Sequence, residues 1–301
     1  MSLIPVLLDT DIGSDIDDAL ALAYLLRHPE CHLAGVTTVS GEACKRAALV
    51  RWLCTVAGRP EVPVYCGAEP PLLGVQRQPL AHQYNAIPAE FAEPRHPESH
   101  AVEFLRDEIT KHPGQMTLLA IGPLTNVGLL FATYPFIPQM LRSLVIMGGD
   151  FRTRDNDVTE EWNIKCDPAA ASIVLSRVTS PFLAAGLNVT TQCRLSVTEF
   201  NTLLGSNDPL KAAVKSMANF WFESTKEVTF HDPLAAALIF EPDLCSMEAT
   251  TLHVDICSAE KPGATRAIVE DEFNRHTIAT AVDSKRFFAH FSSVINTTHS
   301  L

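Results

Sequence analysis

Five carboxylates, Asp9, Asp11, Asp15, Asp17 and Asp18, fall within ten residues near the start of the chain. They come after the apolar run Leu3–Leu8 and lead into the helical spacing of Ala19, Leu20, Ala23 and Leu26. Carboxylates this close repel one another unless protons or a cation intervene. Hard oxygen ligands with no neighbouring His or Cys suit calcium or magnesium rather than zinc. Aspartates are also ordinary helix N-caps and favour the positive end of the helix dipole. One helix end uses one or two of them, not five. In an open parallel sheet, ligands bind in the crevice beyond the carboxyl ends of the strands. A strand running out into Asp-Thr-Asp would put this loop there.

Other uses of such a loop fit poorly. An EF-hand needs Gly at its sixth position and Glu at its twelfth; counted from Asp9, these are Ser14 and Leu20. A strand leading into D-x-D also resembles the opening of haloacid-dehalogenase-type phosphatases. That pattern wants Thr or Val two residues after the second Asp, where this chain has Gly13. Walker A and G-x-G-x-x-G motifs are both absent.

The elements that must hold the loop alternate along the chain. Strands are expected at Leu3–Leu8, His32–Val39, Val62–Tyr65, Met116–Ile121, Ser143–Met147 and Phe182–Gly186. Helices are expected at Asp17–Arg27, Ala43–Ala57, Glu98–Lys111, Leu124–Tyr134 and Pro168–Arg177. This alternation implies right-handed βαβ crossovers. The fold class is therefore α/β: a single domain over residues 1–301, with a mostly parallel central sheet flanked by helices. From Ser196 to Phe240 the pattern is mainly helical, and Thr250–Cys257 and His276–Val282 read as late strands before a last helix. Two stretches break the rhythm: Gly67–Pro97, with six prolines, and the polar Asp150–Glu160. Long loops in compact domains are often functional.

Of the 301 residues 47% are hydrophobic, enough for a substantial core. A net charge of −12 with no Lys/Arg run argues against a nucleic-acid partner. It favours a substrate that is neutral, or cationic in its transition state. Eight scattered cysteines without a C-x-x-C pair point to free thiols in a reducing compartment. With no basic leader and no run of 18 apolar residues, the expectation is a soluble, cytoplasmic protein without a membrane partner.

The segment Asp9–Leu20, D-T-D-I-G-S-D-I-D-D-A-L, resembles the D-T-D-P-G-x-D-D-A-x-A-L signature of the calcium-dependent, inosine–uridine preferring nucleoside hydrolases. Five further segments occur in that family's order. Gly35–Gly41 is similar to its second strand and ribose-side turn, and Ile121–Asn126 to its G-P-L-T-N. Met147-Gly148-Gly149 is similar to its M-G-G turn, Glu161-Trp162-Asn163 to its E-F-N element, and His231-Asp232-Pro233 to its H-D-P element.

The resemblance implies hydrolysis of a ribonucleoside to ribose and free base. Asp11, Asp18, Asp232 and the backbone carbonyl of Ile121 would ligate Ca²⁺. Asp17 would bind ribose hydroxyls, with Asn163, Glu161, the Met147 turn and Asn156 completing the sugar pocket. Asp11 would also be the general base for water held at the calcium, and His231 would face the leaving base, whose protonation eases departure. A homodimer or homotetramer is implied as well. Cleavage at C1′ passes through an oxocarbenium-like state, which a carboxylate-rich pocket stabilises.

The match has departures. The acidic loop is two residues longer than the signature, leaving Asp15 as an alternative to Asp17 or Asp18. Asp18 is preferred as the ligand because it directly precedes the helical Ala-Leu. Glu42 stands where the family has a ribose-contacting Asn, and the H-G-x-x-G of the proline-rich loop has only Ala81–Asn85 near it. A second reading is a non-catalytic nucleoside- or ribose-binding protein that retains the calcium site.

Overall fold

The computed structural model describes residues 3–92, 100–152, 160–205, 208–256, 261–268 and 274–297. The first half runs β1 (Ile4–Thr10), α1 (Asp17–Arg27), β2 (Cys31–Thr38), α2 (Ala43–Val56), β3 (Val64–Cys66), α3 (Ala101–Lys111), β4 (Thr117–Ala120), α4 (Thr125–Thr133) and β5 (Ser143–Met147). It continues through α5 (Trp162–Cys166), α6 (Pro168–Arg177), β6 (Phe182–Ala185), α7 (Leu187–Thr190), β7 (Arg194–Ser196), α8 (Val197–Leu203) and α9 (Pro209–Phe222). The last elements are β8 (Glu227–Thr229), α10 (His231–Ala237), β9 (Cys245–Asp255), β10 (Ala264–Ile268), β11 (His276–Val282) and α11 (Ser284–Ile295).

Among the described residues nine strands form one sheet, in the order β10-β9-β11-β6-β5-β4-β1-β2-β3. From β3 through β11 every neighbouring pair is parallel; β9 alone is reversed, pairing antiparallel with β11 on one side and with β10 on the other. The chain winds outward from β1 to β3 and returns to place β4 on the other side of β1. The crevice beyond the ends of β1 and β4 is thus a topological switch point, where open α/β sheets bind ligands.

Alternate side chains of the central strands enter two core layers. Val6, Leu8, Leu119 and Val145 pack with Leu20 of α1, Leu49 of α2, Leu234 of α10 and Phe291 of α11. Leu7, Leu118 and Leu144 pack with Ile109 of α3, Phe131 of α4 and Val174 of α6 on the opposite face. A sheet covered on both faces gives the near-continuous apolar runs seen in the sequence. Every residue of α1 is buried, so this helix carries no solvent-facing polar side.

Several expectations need correction. Strand β9 starts at Cys245, five residues before Thr250, because Ser246, Met247 and Glu248 show no apolar alternation. Strand β10 is a short edge strand with outward Arg266 and was not expected. A two-stranded ribbon of β7 and β8 interrupts the stretch read as helical. Helix α3 begins at Ala101 in the structure; Glu98 lies outside the described residues. The seven described cysteines carry no disulfide.

Asn126 ties the carboxyl ends of the sheet together. Its Oδ1 accepts from Ala68 N at 2.9 Å, while its Nδ2 donates to Asp9 Oδ1 at 2.7 Å and to Thr38 O at 3.1 Å. A Cβ on Gly67 would come within 2.4 Å of this amide, which explains a glycine there. Asn126→Ala leaves two buried acceptors and the half-buried amide of Ala68 short of a partner. It should cost about 3 kcal/mol in a denaturant titration; a loss below ~0.5 kcal/mol would remove this role.

Candidate active site

Strand β1 runs out at Thr10, whose hydroxyl organises the acidic loop. Thr10 Oγ1 accepts from Ile12 N at 3.1 Å and donates to Asp18 Oδ1 at 2.5 Å, fixing the loop to the first turn of α1. The N-cap of α1 is Ile16, without a side-chain cap bond. Asp17 and Asp18 are therefore not the caps that aspartates near a helix start usually are.

Helix α10 packs against α1, and its first turn brings Asp232 beside them. Asp232 N donates to Asp17 Oδ2 at 3.4 Å across a sequence separation of 215 residues. Asp17, Asp18 and Asp232 each offer a carboxylate oxygen within 4.8 Å of the others, and all three residues are buried. Asp11 is buried too, and its charge is felt by Asp17, Asp18 and Asp232.

These groups line a cavity of about 250 Å³ together with Asp15, Gln78, Ile121, Met147, Glu160, Glu161, Trp162, Asn163, Leu187 and His231. Burial raises the carboxyl pKa values of Asp11, Asp17, Asp18 and Asp232 above the ordinary range, and the neighbouring acids push those of Asp17, Asp18 and Asp232 further. Such a cluster relaxes by taking up protons or a cation. Its donors are all oxygens, so the arrangement fits a hard divalent ion.

The residues expected to complete the sugar pocket lie at α5 and at the ends of β4 and β5. Asn163 Nδ2 donates to Ile121 O at 2.8 Å and to Met147 O at 3.2 Å. Glu161 caps α5: its carboxylate accepts from Asn163 N at 2.8 Å, Ile164 N at 3.0 Å and Gly149 N at 3.2 Å. Burial nevertheless lifts its pKa to about 7. His231 Nδ1 pairs with Thr190 Oγ1 at 2.7 Å, and burial pushes the imidazole down to about 4. The ring is neutral at pH 7 and is not a standing acid.

Of the sequence candidates, Glu42 is not brought into the cavity. Glu42 is the N-cap of α2 in a left-handed conformation (φ 59°). Its carboxylate is taken by Lys45 and by Ala81 N at 2.9 Å, so it faces the proline-rich loop. Asn156 lies outside the described residues. Asp15 is exposed at the cavity mouth, apart from the group formed by Asp17, Asp18 and Asp232.

Gln78 and Trp162 are lining residues that the motifs did not single out. They meet across the opening, Trp162 Nε1 donating to Gln78 Oε1 at 2.7 Å. Their signal was available only as position: one lies in the proline-rich loop, the other between Glu161 and Asn163.

An α/β sheet with a buried, oxygen-only acidic cluster at its switch point has the make-up of a site that could bind a metal ion. Residues 6–289 match the family model described as inosine-uridine preferring nucleoside hydrolase, and the chain belongs to that family. It is 31% identical over 267 residues to uridine nucleosidase 1 of Arabidopsis thaliana, covering 83% of this chain and 78% of that one. It is 29% identical to the pyrimidine-specific ribonucleoside hydrolase RihA of Escherichia coli, covering 80% and 81%. The structure of a purine-preferring ribonucleoside hydrolase from Gardnerella vaginalis superposes with a TM-score of 0.79 at 26% identity, over 97% of this chain and 98% of that chain. Among the described residues no helix is long and apolar enough to cross a membrane.

Proposed function

We propose that this nucleoside hydrolase cleaves the N-glycosidic bond of a ribonucleoside with a calcium ion held by Asp11, Asp18, Asp232 and the carbonyl of Ile121. The observation that carries the reading is the convergence of Asp18 and Asp232, far apart in sequence, on one buried point of the cavity wall that Asp17 shares and Asp11 also lines. When bound, calcium supplies fixed positive charge that orients a water and lowers its pKa.

Asp17 and Asn163 bind ribose hydroxyls, and Met147 and Glu161 shape the wall against which the sugar rests. Asp11 accepts the proton of the attacking water. The surrounding carboxylates stabilise positive charge building at C1′ as the bond to the base lengthens. His231, oriented by Thr190, meets the departing base as a neutral hydrogen-bond partner.

Ribose released from inosine, uridine and cytidine, with and without chelator, tests this. Release from at least one nucleoside, abolished by chelation, is expected. No ribose from any of them at high enzyme concentration overturns the assignment. Tight nucleoside binding in calorimetry without turnover would instead mark a binding protein, a reading that the diversion of Glu42 from the cavity favours.

A further inference from the structure

Arg46 is a fully buried guanidinium, on the second turn of α2 and outside the cavity wall. Its donors are spent on main-chain and hydroxyl oxygens of three loops: the β2–α2 turn, the acidic loop and the proline-rich loop. Nε donates to Gly41 O at 2.8 Å. Nη1 donates to the carbonyls of Asp11 and Ile12 and to Ser14 Oγ, the last two both at 3.1 Å. Nη2 reaches the proline-rich loop, at Leu80 O (3.1 Å) and Gln78 O (3.4 Å). Among the described residues it forms no direct carboxylate pair, although Asp11, Asp18, Glu42 and Glu69 are near enough to feel its charge.

A buried charge persists only when its hydrogen-bonding groups are met. Here the planar fork is met by carbonyls of the acidic loop, of the proline-rich loop and of the β2–α2 turn at Gly41. The loop between β1 and α1 also meets the proline-rich loop directly, Gln78 Nε2 donating to Ser14 Oγ at 2.7 Å and Gln83 donating to Gly13 O and Ser14 O, both at 3.0 Å, but the carbonyls of Asp11 and Ile12 are reached by Arg46. The acidic loop carries a positive φ at Gly13 (+119°), and the helix it enters has no side-chain cap. The proline-rich loop can come close because Gly41 has no Cβ; one there would sit 2.4 Å from Pro79 O. The loop is also the segment that is two residues longer than the family signature. A longer loop has more conformations to lose before its carboxylates can converge.

We infer that Arg46 is a positioning residue: its guanidinium fastens the elongated acidic loop to the proline-rich loop, and so sets the carboxylates in their cation-binding arrangement. This rests on the calcium reading above. A lysine cannot replace it, since one ammonium does not span the same set of carbonyls.

The test separates placement from charge, because the two predict opposite signs. Calcium titrations by calorimetry on the full chain would compare wild type with Arg46→Lys, Arg46→Met and Ser14→Ala. Both Arg46 variants are expected to bind calcium at least about tenfold more weakly, and Ser14→Ala about threefold more weakly, as loss of a group that orients metal ligands does. If only charge mattered, Arg46→Met would bind calcium more tightly and Arg46→Lys would match wild type; either result overturns the proposal. Hydrogen exchange at residues 12–16 and 78–81 supplies a readout that needs no metal. Faster exchange there in Arg46→Lys and Ser14→Ala, with the sheet unchanged, is expected, and unchanged exchange overturns the inference. Wild type that binds no calcium would sink the calcium reading while the exchange data still decide the role of Arg46. Should Arg46→Met fail to fold, the other two variants carry the comparison.

Discussion

Asp11→Asn is expected to lower the turnover number by about three to four orders of magnitude, the upper range for losing a general base. The substitution keeps the shape of the side chain and removes its basicity. It should not unfold the chain, because the backbone of Asp11 is held independently by Arg46. It also relieves one charge in a group of buried acids whose mutual repulsion is already severe. Single-turnover ribose release measures the rate, and a thermal melt of the chelated protein should give a Tm equal to or above that of wild type. A variant turning over within about tenfold of wild type would remove Asp11 from the base role.

The second large effect is the coupling of stability to calcium and pH. Burial pushes the Asp9 carboxyl up to about 7 and that of Glu161 to about 7, from ordinary values of 3.8 and 4.5. Between those limits the folded chain binds more protons than the unfolded one, so folding is favoured as pH falls. The advantage is lost as pH rises through 7, at a cost on the order of 3 kcal/mol for each group. The chelated protein should therefore melt higher at pH 5.5 than at pH 8. A thousandfold excess of calcium over its Kd adds about 4 kcal/mol. That corresponds to roughly 8–16 °C in a chain this large. The gain should be greatest at pH 8, where protons no longer compete for the carboxylates. A Tm at pH 8 that ignores both calcium and chelator would defeat the metal assignment.

Much of the architecture was legible because its signals are local. Helix α1 at Asp17–Arg27, β5 at Ser143–Met147, α6 at Pro168–Arg177 and β11 at His276–Val282 have the bounds their patterns predict. Pro168 at the start of α6, with Asp167 accepting from Ala170 N, is a cap that can be read directly. The acidic loop was equally plain, since five carboxylates in ten residues exceed any capping need.

Long-range partners were not legible in the same way. Nothing near Asp232 says that it will meet Asp18; only the ordered family motifs suggested it. Arg46 in a helix looks like a surface residue, because periodicity gives the face of a side chain but not what its end touches. Glu42 shows the converse. Its position matched a ribose-contacting one, yet Lys45, one turn on, and the amide of Ala81 capture its carboxylate.

The juxtaposition of α1 and α10 also sets an order of events during synthesis. A nascent chain displays the aspartates of its opening loop early, but Asp11, Asp17 and Asp18 lack their fourth partner until residue 232 has emerged and docked. Cation affinity thus arises late and reports that the two ends of the polypeptide have met. A fragment ending before Asp232 should stay indifferent to calcium however well its first strands pair.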